Sequence, residues 1–226
     1  MYRYRAFGLE IASELECPEL IDGSGPADTT IVCRADGVAP HAPLLDVRPG
    51  YLSVRVPSVA TYEVRDATRI VVAAEPDVDA GSVRLFLLGT AVGALLHQRE
   101  VLPLHGSAVR LDGGYVIVVG ESGAGKSSLA AALAERGFSI GSDDISAIRV
   151  RDDVPYLAPG YPESKMWPDA LAMLDDDATR YGLVRPEIEK RRVPISHFCT
   201  DELPVLGVIV LSIMWGLFMI SIIRVH

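Results

Sequence analysis

The chain has 226 residues and a formal net charge of −9, from 30 acidic and 21 basic side chains. Its length suffices for one large domain or two small ones, and the acidic balance excludes nucleic acid as an expected partner, because a polyanion requires clustered Lys and Arg. The three cysteines lie far apart without zinc-ligand spacing, so we expect reduced thiols and a cytoplasmic location.

Residues 1–80 predict a small strand-rich N-terminal domain. Short runs of β-forming residues alternate there with turn sequences rich in Gly, Pro and Asp. No cluster of catalytic residue types occurs among them, so we interpret this part as a structural or partner-binding module. The predicted strands are residues 4–9, 30–33, 51–56, 61–64 and 69–74.

Residues 82–98 are almost continuously apolar over the length of a helix. Arg84 and His97 shorten the uncharged part to about a dozen residues, fewer than the roughly 20 that a bilayer requires. We therefore predict a buried helix packed on a sheet. This helix is expected to open a second domain that covers residues 81–226.

A predicted hairpin follows. Four of the five residues from 115 to 119 are β-branched, which is typical of a buried strand. Asp112-Gly113-Gly114 joins this strand to the β-type run 104–111, and a turn of that kind favours antiparallel pairing. Such a hairpin argues against the parallel-sheet GTPases and transporter ATPases.

The loop after the hairpin fits G-x-x-x-x-G-K-[ST] at every fixed position. Glycines let consecutive backbone N–H groups point inward, and the next helix adds its positive end, so a polyphosphate is the expected ligand. Lys126 is expected to reach the β- and γ-phosphates of this ligand, and the Ser127 hydroxyl to bind Mg²⁺. The predicted phosphate-binding residues are Gly120, Glu121, Ser122, Gly123, Ala124, Gly125, Lys126, Ser127 and Ser128.

An acidic pair follows the loop. The Ala- and Leu-rich run 127–136 predicts a helix that Gly137 ends, and short strands are expected at 138–140 and 145–150. Asp143 and Asp144 lie between those strands. Beyond a phosphate-binding loop, this is where a second acid that organises magnesium is expected.

Several short sequences in the segment 104–148 carry a family resemblance. They are Leu104-His105-Gly106-Ser107-Ala108-Val109, the loop itself, Glu135-Arg136-Gly137-Phe138 and Asp143-Asp144. The segment resembles the catalytic domain of HPr kinase/phosphorylase and its HPr-kinase-like relatives. The resemblance implies an α/β P-loop kinase domain with a mixed sheet, similar to that of phosphoenolpyruvate carboxykinase. It also implies ATP and Mg²⁺ as cofactors, a serine of a protein or peptide as the acceptor, and a homo-oligomer.

The resemblance also implies roles for single residues. Asp143 matches the catalytic base that takes the proton from the acceptor hydroxyl, and Asp144 would help to hold Mg²⁺ together with Ser127. His105 matches a histidine near the acceptor, and Lys126 completes the predicted catalytic set. In the basic cluster at 190–192, one side chain is expected to contact the transferred phosphoryl group or else to be solvated.

The sequence departs from the family after the acidic pair, where the glycine-rich signature of the bifunctional enzymes is missing. The acceptor is therefore either an HPr-like phosphocarrier or a ribosomal peptide precursor, such as that of a lasso peptide. A small-molecule kinase, an NTPase and a non-catalytic nucleotide-binding module are the alternatives. GTP and pyrophosphate remain alternative donors.

The C-terminal stretch 205–223 is 19 residues long and carries no formal charge, which matches the length of a membrane-spanning helix. The resemblance instead implies a core strand over residues 203–211. We favour that strand, followed by a stub of helix at a truncated or frame-shifted end. A membrane anchor is the alternative.

Overall fold

The computed structural model describes residues 1–34, 43–214 and 217–224. The chain divides into two compact units, Met1–Val101 and Leu102–His226. Both are rich in strands, and the described elements together form a mixed α/β structure. The boundary therefore differs from the one predicted between residues 80 and 81.

The first unit contains an eight-stranded sheet with the strand order β3-β1-β2-β4-β8-β7-β6-β5. The strands predicted at 51–56 and 69–74 are confirmed with the same bounds, whereas the run predicted at 4–9 is divided by a turn. Phe7 and Gly8 both have positive φ angles there, of 56° and 67°. The strands are β1 (Tyr2–Ala6), β2 (Leu9–Ser13), β3 (Ile21–Asp22), β4 (Thr29–Cys33), β5 (Leu45–Arg48), β6 (Tyr51–Val56), β7 (Ala60–Arg65) and β8 (Arg69–Ala74).

A helical segment completes the first unit as α1 (Ala80–Phe86), a π-helical turn (Leu87–Ala91) and α2 (Val92–Gln98). The hydroxyl of Tyr62 in β7 donates to the carbonyl of Val83 at 2.8 Å, and Leu87, Leu88, Leu95 and Leu96 of the segment are buried. The segment is long and apolar enough to cross a membrane by length and composition alone, criteria that the core helix of a soluble protein also meets. Because it packs on β7, it belongs to the first unit and not to the second.

The second unit holds the predicted loop and acidic pair. Its helices are α3 (Lys126–Glu135) and α4 (Pro168–Ala172). Its strands are β9 (Leu102–Leu111), β10 (Gly114–Gly120), β11 (Ile140–Ser142), β12 (Ile145–Arg151), β13 (Val154–Ala158), β14 (Glu163–Met166), β15 (Leu183–Arg185), β16 (Ile188–Pro194), β17 (Leu203–Met214) and β18 (Leu217–Arg224).

The main sheet of the second unit is mixed. β10 pairs antiparallel with β9, which confirms the predicted hairpin, and parallel with β17, which confirms a strand over residues 203–211. β18 pairs antiparallel with β17, so strands occupy the described part of the 205–223 stretch. The expected stub of helix is wrong for residues 217–224, which extend the sheet instead. Residues 215 and 216 lie outside the described residues, and the membrane anchor stays an untested hypothesis.

The hydrophobic core of the second unit holds together the strands and the helix that carry the site residues. Tyr115, Ile117 and Leu157 are fully buried within the main sheet, and Ala130 and Ala134 of α3 pack against Val109 of β9. A second sheet, with the order β14-β16-β15, contributes the remaining wall. The loop after β10, the turn between β11 and β12, and β14 thereby meet around one cavity.

Candidate active site

A cavity of about 850 Å³ gathers most of the predicted site residues in the second unit. Gly120, Glu121 and Ala124 belong to the same loop but do not line the cavity. The lining also includes residues of β14 and α4 that the sequence did not suggest, and Lys190 of β16, which belongs to the predicted basic cluster. The predicted residues that line it are His105, Ser122, Gly123, Gly125, Lys126, Ser127, Ser128, Asp143 and Asp144.

The glycine-rich loop leads from β10 directly into α3. Gly125 occupies the N-cap position with φ of 89°, in the left-handed region that glycine adopts without strain. The ammonium of Lys126 donates to the carbonyls of Gly120 and Glu121, both at 2.9 Å, and so spans the loop. Burial lowers the pKa of Lys126, and the charge of Lys190 lowers it further against the opposing effect of the two aspartates. An anion near this ammonium would relieve that repulsion.

The conformation of Gly125 predicts the effect of adding a methyl group. Gly125→Ala should weaken the binding of ATP with Mg²⁺ by about tenfold, because the left-handed backbone costs about 1–2 kcal/mol for alanine and relaxation would turn the loop N–H groups away. Gly113→Ala is the matched control, since Gly113 has φ of 88°, lies in the hairpin turn and also has open space around it. Calorimetric titration should show unchanged affinity for the control. Equal affinities in the two variants would contradict a phosphate-binding loop.

Asp143 is a buried carboxylate, 4% exposed, with three serine hydroxyls around it. Its Oδ1 accepts from the hydroxyls of Ser107 and of Ser127, the latter at 3.1 Å, and its Oδ2 accepts from Ser164 at 2.5 Å. A buried charge is stable when its oxygens are hydrogen-bonded in this way. The carboxylate is thereby fixed beside the Ser127 hydroxyl.

Asp144 lies between two basic side chains. Its Oδ2 lies 2.7 Å from Nζ of Lys165, and its Oδ1 lies 3.3 Å from Nδ1 of His105, which also lies 2.9 Å from the Asp144 carbonyl. Burial opposes ionisation, but His105 and Lys165 outweigh it and hold the pKa of Asp144 well below its ordinary value. The hydrogen bond with Asp144 in turn raises the pKa of His105.

The histidine contacts fix its tautomer. Both neighbouring oxygens of Asp144 lie at Nδ1, so we assign the proton of neutral His105 to that nitrogen. The side chain is 59% exposed and lines the cavity. The other ring nitrogen, Nε2, is therefore the one that can exchange a proton with a bound molecule.

Three residues of the site were missed by the sequence reasoning. Ser107 lies within the motif that contains His105, while Ser164 and Lys165 lie on β14 in a segment without a recognisable pattern. One feature of the sequence could have pointed to Lys165: the chain has three lysines, and all of them line this cavity. Within the basic cluster, Lys190 lines the cavity, whereas Arg191 donates to the Tyr181 carbonyl and Arg192 pairs with Glu163.

The donor set fits Mg²⁺. The Ser127 hydroxyl and the Asp143 carboxylate are hard oxygen donors, which Mg²⁺ prefers and supplements with water and substrate phosphates. Among the described residues there is no group of three or more His, Cys, Asp or Glu side chains that could hold a metal on its own. The predicted roles of Asp143 and Asp144 stay predictions. Asp143 accepts hydrogen bonds from serine hydroxyls, whereas Asp144 contacts the basic side chains of His105 and Lys165.

No family model and no curated protein matches the sequence. Part of the chain is similar to a solved structure of the Hpr(Ser) kinase/phosphatase from Coxiella burnetii, with 14% sequence identity and a TM-score of 0.33. The similarity covers 55% of this chain and 79% of that chain.

Proposed function

We propose that this chain is an HPr-kinase-like P-loop kinase, which uses ATP and Mg²⁺ to phosphorylate a serine hydroxyl of a protein or peptide. One observation carries the proposal. Lys126, the Ser127–Asp143 pair and the His105–Asp144 pair all line one cavity. A loop alone would support phosphate binding, whereas the two pairs add groups for a metal ion and for an attacking hydroxyl.

The nucleotide side consists of the glycine-rich loop with Lys126, Ser127 and Asp143. The loop N–H groups and the Lys126 ammonium bind the phosphates. Mg²⁺, when bound, neutralises charge on the β- and γ-phosphates. We place Asp143 on this side because its carboxylate lies 3.1 Å from the Ser127 hydroxyl, which is a magnesium ligand in loops of this kind.

The acceptor side consists of His105 and Asp144. The serine oxygen attacks the γ-phosphorus, the bond to the β,γ-bridging oxygen breaks, and ADP leaves with that electron pair. Nε2 of His105 takes the serine proton, while Asp144 keeps the Nδ1 proton in place. This assignment reverses the order that the resemblance implies, in which Asp143 is the base and Asp144 holds Mg²⁺.

The exposed apolar side chains that line the cavity favour a polypeptide acceptor. Trp167 and Met173 line it with 45% and 84% of their surface exposed. Apolar side chains exposed at a cavity suit contact with a peptide chain.

Transfer of a labelled phosphoryl group tests the proposal. The full chain is incubated with Mg²⁺ and ATP labelled at the γ-phosphate, in parallel with an HPr-type phosphocarrier, serine-containing peptides and hydroxylated metabolites. We expect stable label on a polypeptide serine, and none with Lys126→Met. Label confined to a metabolite would support the small-molecule kinase instead, and label found as inorganic phosphate alone would support an NTPase.

A further inference from the structure

Lys190 is a cation of the cavity to which the mechanism above gives no role. It lies on β16, and its ammonium stands over the Trp167 ring, 5.4 Å from the ring centroid. Among the described side chains, no carboxylate forms an ion pair with it. It lines the same cavity as Lys126.

Lys190 is one of the few lysines in a chain whose basic residues are mostly arginines. The chain contains 18 arginines and three lysines, and the lysines all line the one cavity. A lysine ammonium is a compact point charge on a flexible stem, which suits a phosphate that moves during transfer. Lys165 is already paired with Asp144 at 2.7 Å. Lys126 and Lys190 are the two lysines of the cavity that form no ion pair with a described carboxylate.

We propose that Lys190 is a second phosphate-binding lysine, which leaves the Trp167 ring and contacts the terminal phosphate of bound ATP. This inference rests on the proposed function and adds a residue that distinguishes ATP from ADP. A cation over an exposed aromatic ring is held weakly, whereas a charge-assisted hydrogen bond to phosphate is among the stronger polar contacts in proteins.

Nucleotide affinity tests the role of Lys190. With Mg²⁺ present, Lys190→Met should bind the non-hydrolysable imido analogue of ATP at least tenfold more weakly than the wild type, and ADP less than threefold more weakly. Lys190→Arg keeps the charge and should stay within threefold for both. The matched control is Arg151→Met, which removes one exposed charge of the same unit outside the cavity, paired with Glu202. This control should leave both affinities unchanged.

Chemical labelling of the wild-type chain provides a measurement that does not depend on a variant. An ATP derivative with an acyl group on its terminal phosphate transfers that group to a nearby lysine amine, which forms an amide and releases ATP. With three lysines in the chain, peptide mapping assigns the label directly. We expect label on Lys190 as well as Lys126, and protection of both by excess ATP with Mg²⁺.

The outcomes separate the inference from the proposed function. Unchanged affinity of Lys190→Met for the ATP analogue, an equal loss for ADP, or label on Lys126 alone would overturn the role of Lys190 and leave the kinase proposal intact. A wild-type chain that binds neither nucleotide would reject the proposed function, and this inference with it. A selective loss for the ATP analogue together with labelled Lys190 would establish it.

Discussion

Asp143→Asn is expected to reduce phosphoryl transfer by about 10³-fold while the chain still folds and binds ATP. Asparagine has the shape of aspartate, and the hydroxyls of Ser107, Ser127 and Ser164 can each rotate to keep a hydrogen bond with it. The variant loses the negative charge beside Ser127. Single-turnover transfer of labelled phosphate, with calorimetric ATP binding on the same preparation, measures the two effects separately.

The control for this variant is a matched change outside the cavity. Asp201 pairs with Arg110 at 3.4 Å and is 60% exposed, so Asp201→Asn removes one carboxylate of the same unit without touching the site. It should transfer phosphate at the wild-type rate. Full transfer by Asp143→Asn would remove this residue from the mechanism altogether.

The magnesium dependence of ATP binding decides which of the two aspartates, Asp143 or Asp144, lies on the metal side. If Asp143 lies on the metal side, Asp143→Asn should need a several-fold higher Mg²⁺ concentration for half-maximal ATP binding, and Asp144→Asn should not. If Asp143 is the base, as the resemblance implies, the raised requirement should appear in Asp144→Asn instead. Titration of each variant with Mg²⁺ at fixed ATP provides the comparison.

The parts of the fold that could be predicted are those encoded by neighbouring residues. The Asp112-Gly113-Gly114 turn specifies the hairpin, and the run of β-branched residues at 116–119 specifies its second strand. The sequence of the glycine-rich loop places α3 directly after it. Each feature depends on contacts within a few positions along the chain.

The rest depends on contacts between distant positions. Asp143 is held by serines from β9, α3 and β14, and no spacing in the sequence connects Ser107 with Ser164. Lys165 contacts Asp144 because the fold brings β14 next to the turn that carries this aspartate. The domain boundary was misplaced for a similar reason, since the apolar run 82–98 does not indicate which sheet it packs against.

The His105–Asp144 pair predicts how transfer depends on pH. Nε2 must be unprotonated to accept the serine proton, so transfer should rise with pH as His105 loses its charge. Asp144 raises the pKa of His105, which places the midpoint above the ordinary value of about 6.5. Asp144→Asn should move the midpoint to lower pH, and His105→Gln should reduce transfer by about 10²-fold or more and flatten the profile. Single-turnover rates of the wild type, Asp144→Asn and His105→Gln between pH 5.5 and 9 measure the three pH profiles.

The His105–Asp144 pair should also affect the stability of the nucleotide-free chain, in which no phosphoryl transfer takes place. The pKa of folded His105 is raised, so its contribution is complete below the unfolded pKa and is lost as pH rises through the folded value. The pKa of Asp144 is depressed, so its contribution is lost towards acid. The difference in melting temperature between the wild type and His105→Gln should therefore be larger near pH 5.5 than at pH 8.5. An equal difference at both pH values would mean that the pair does not form in solution, and the proposed base would lose its orienting partner.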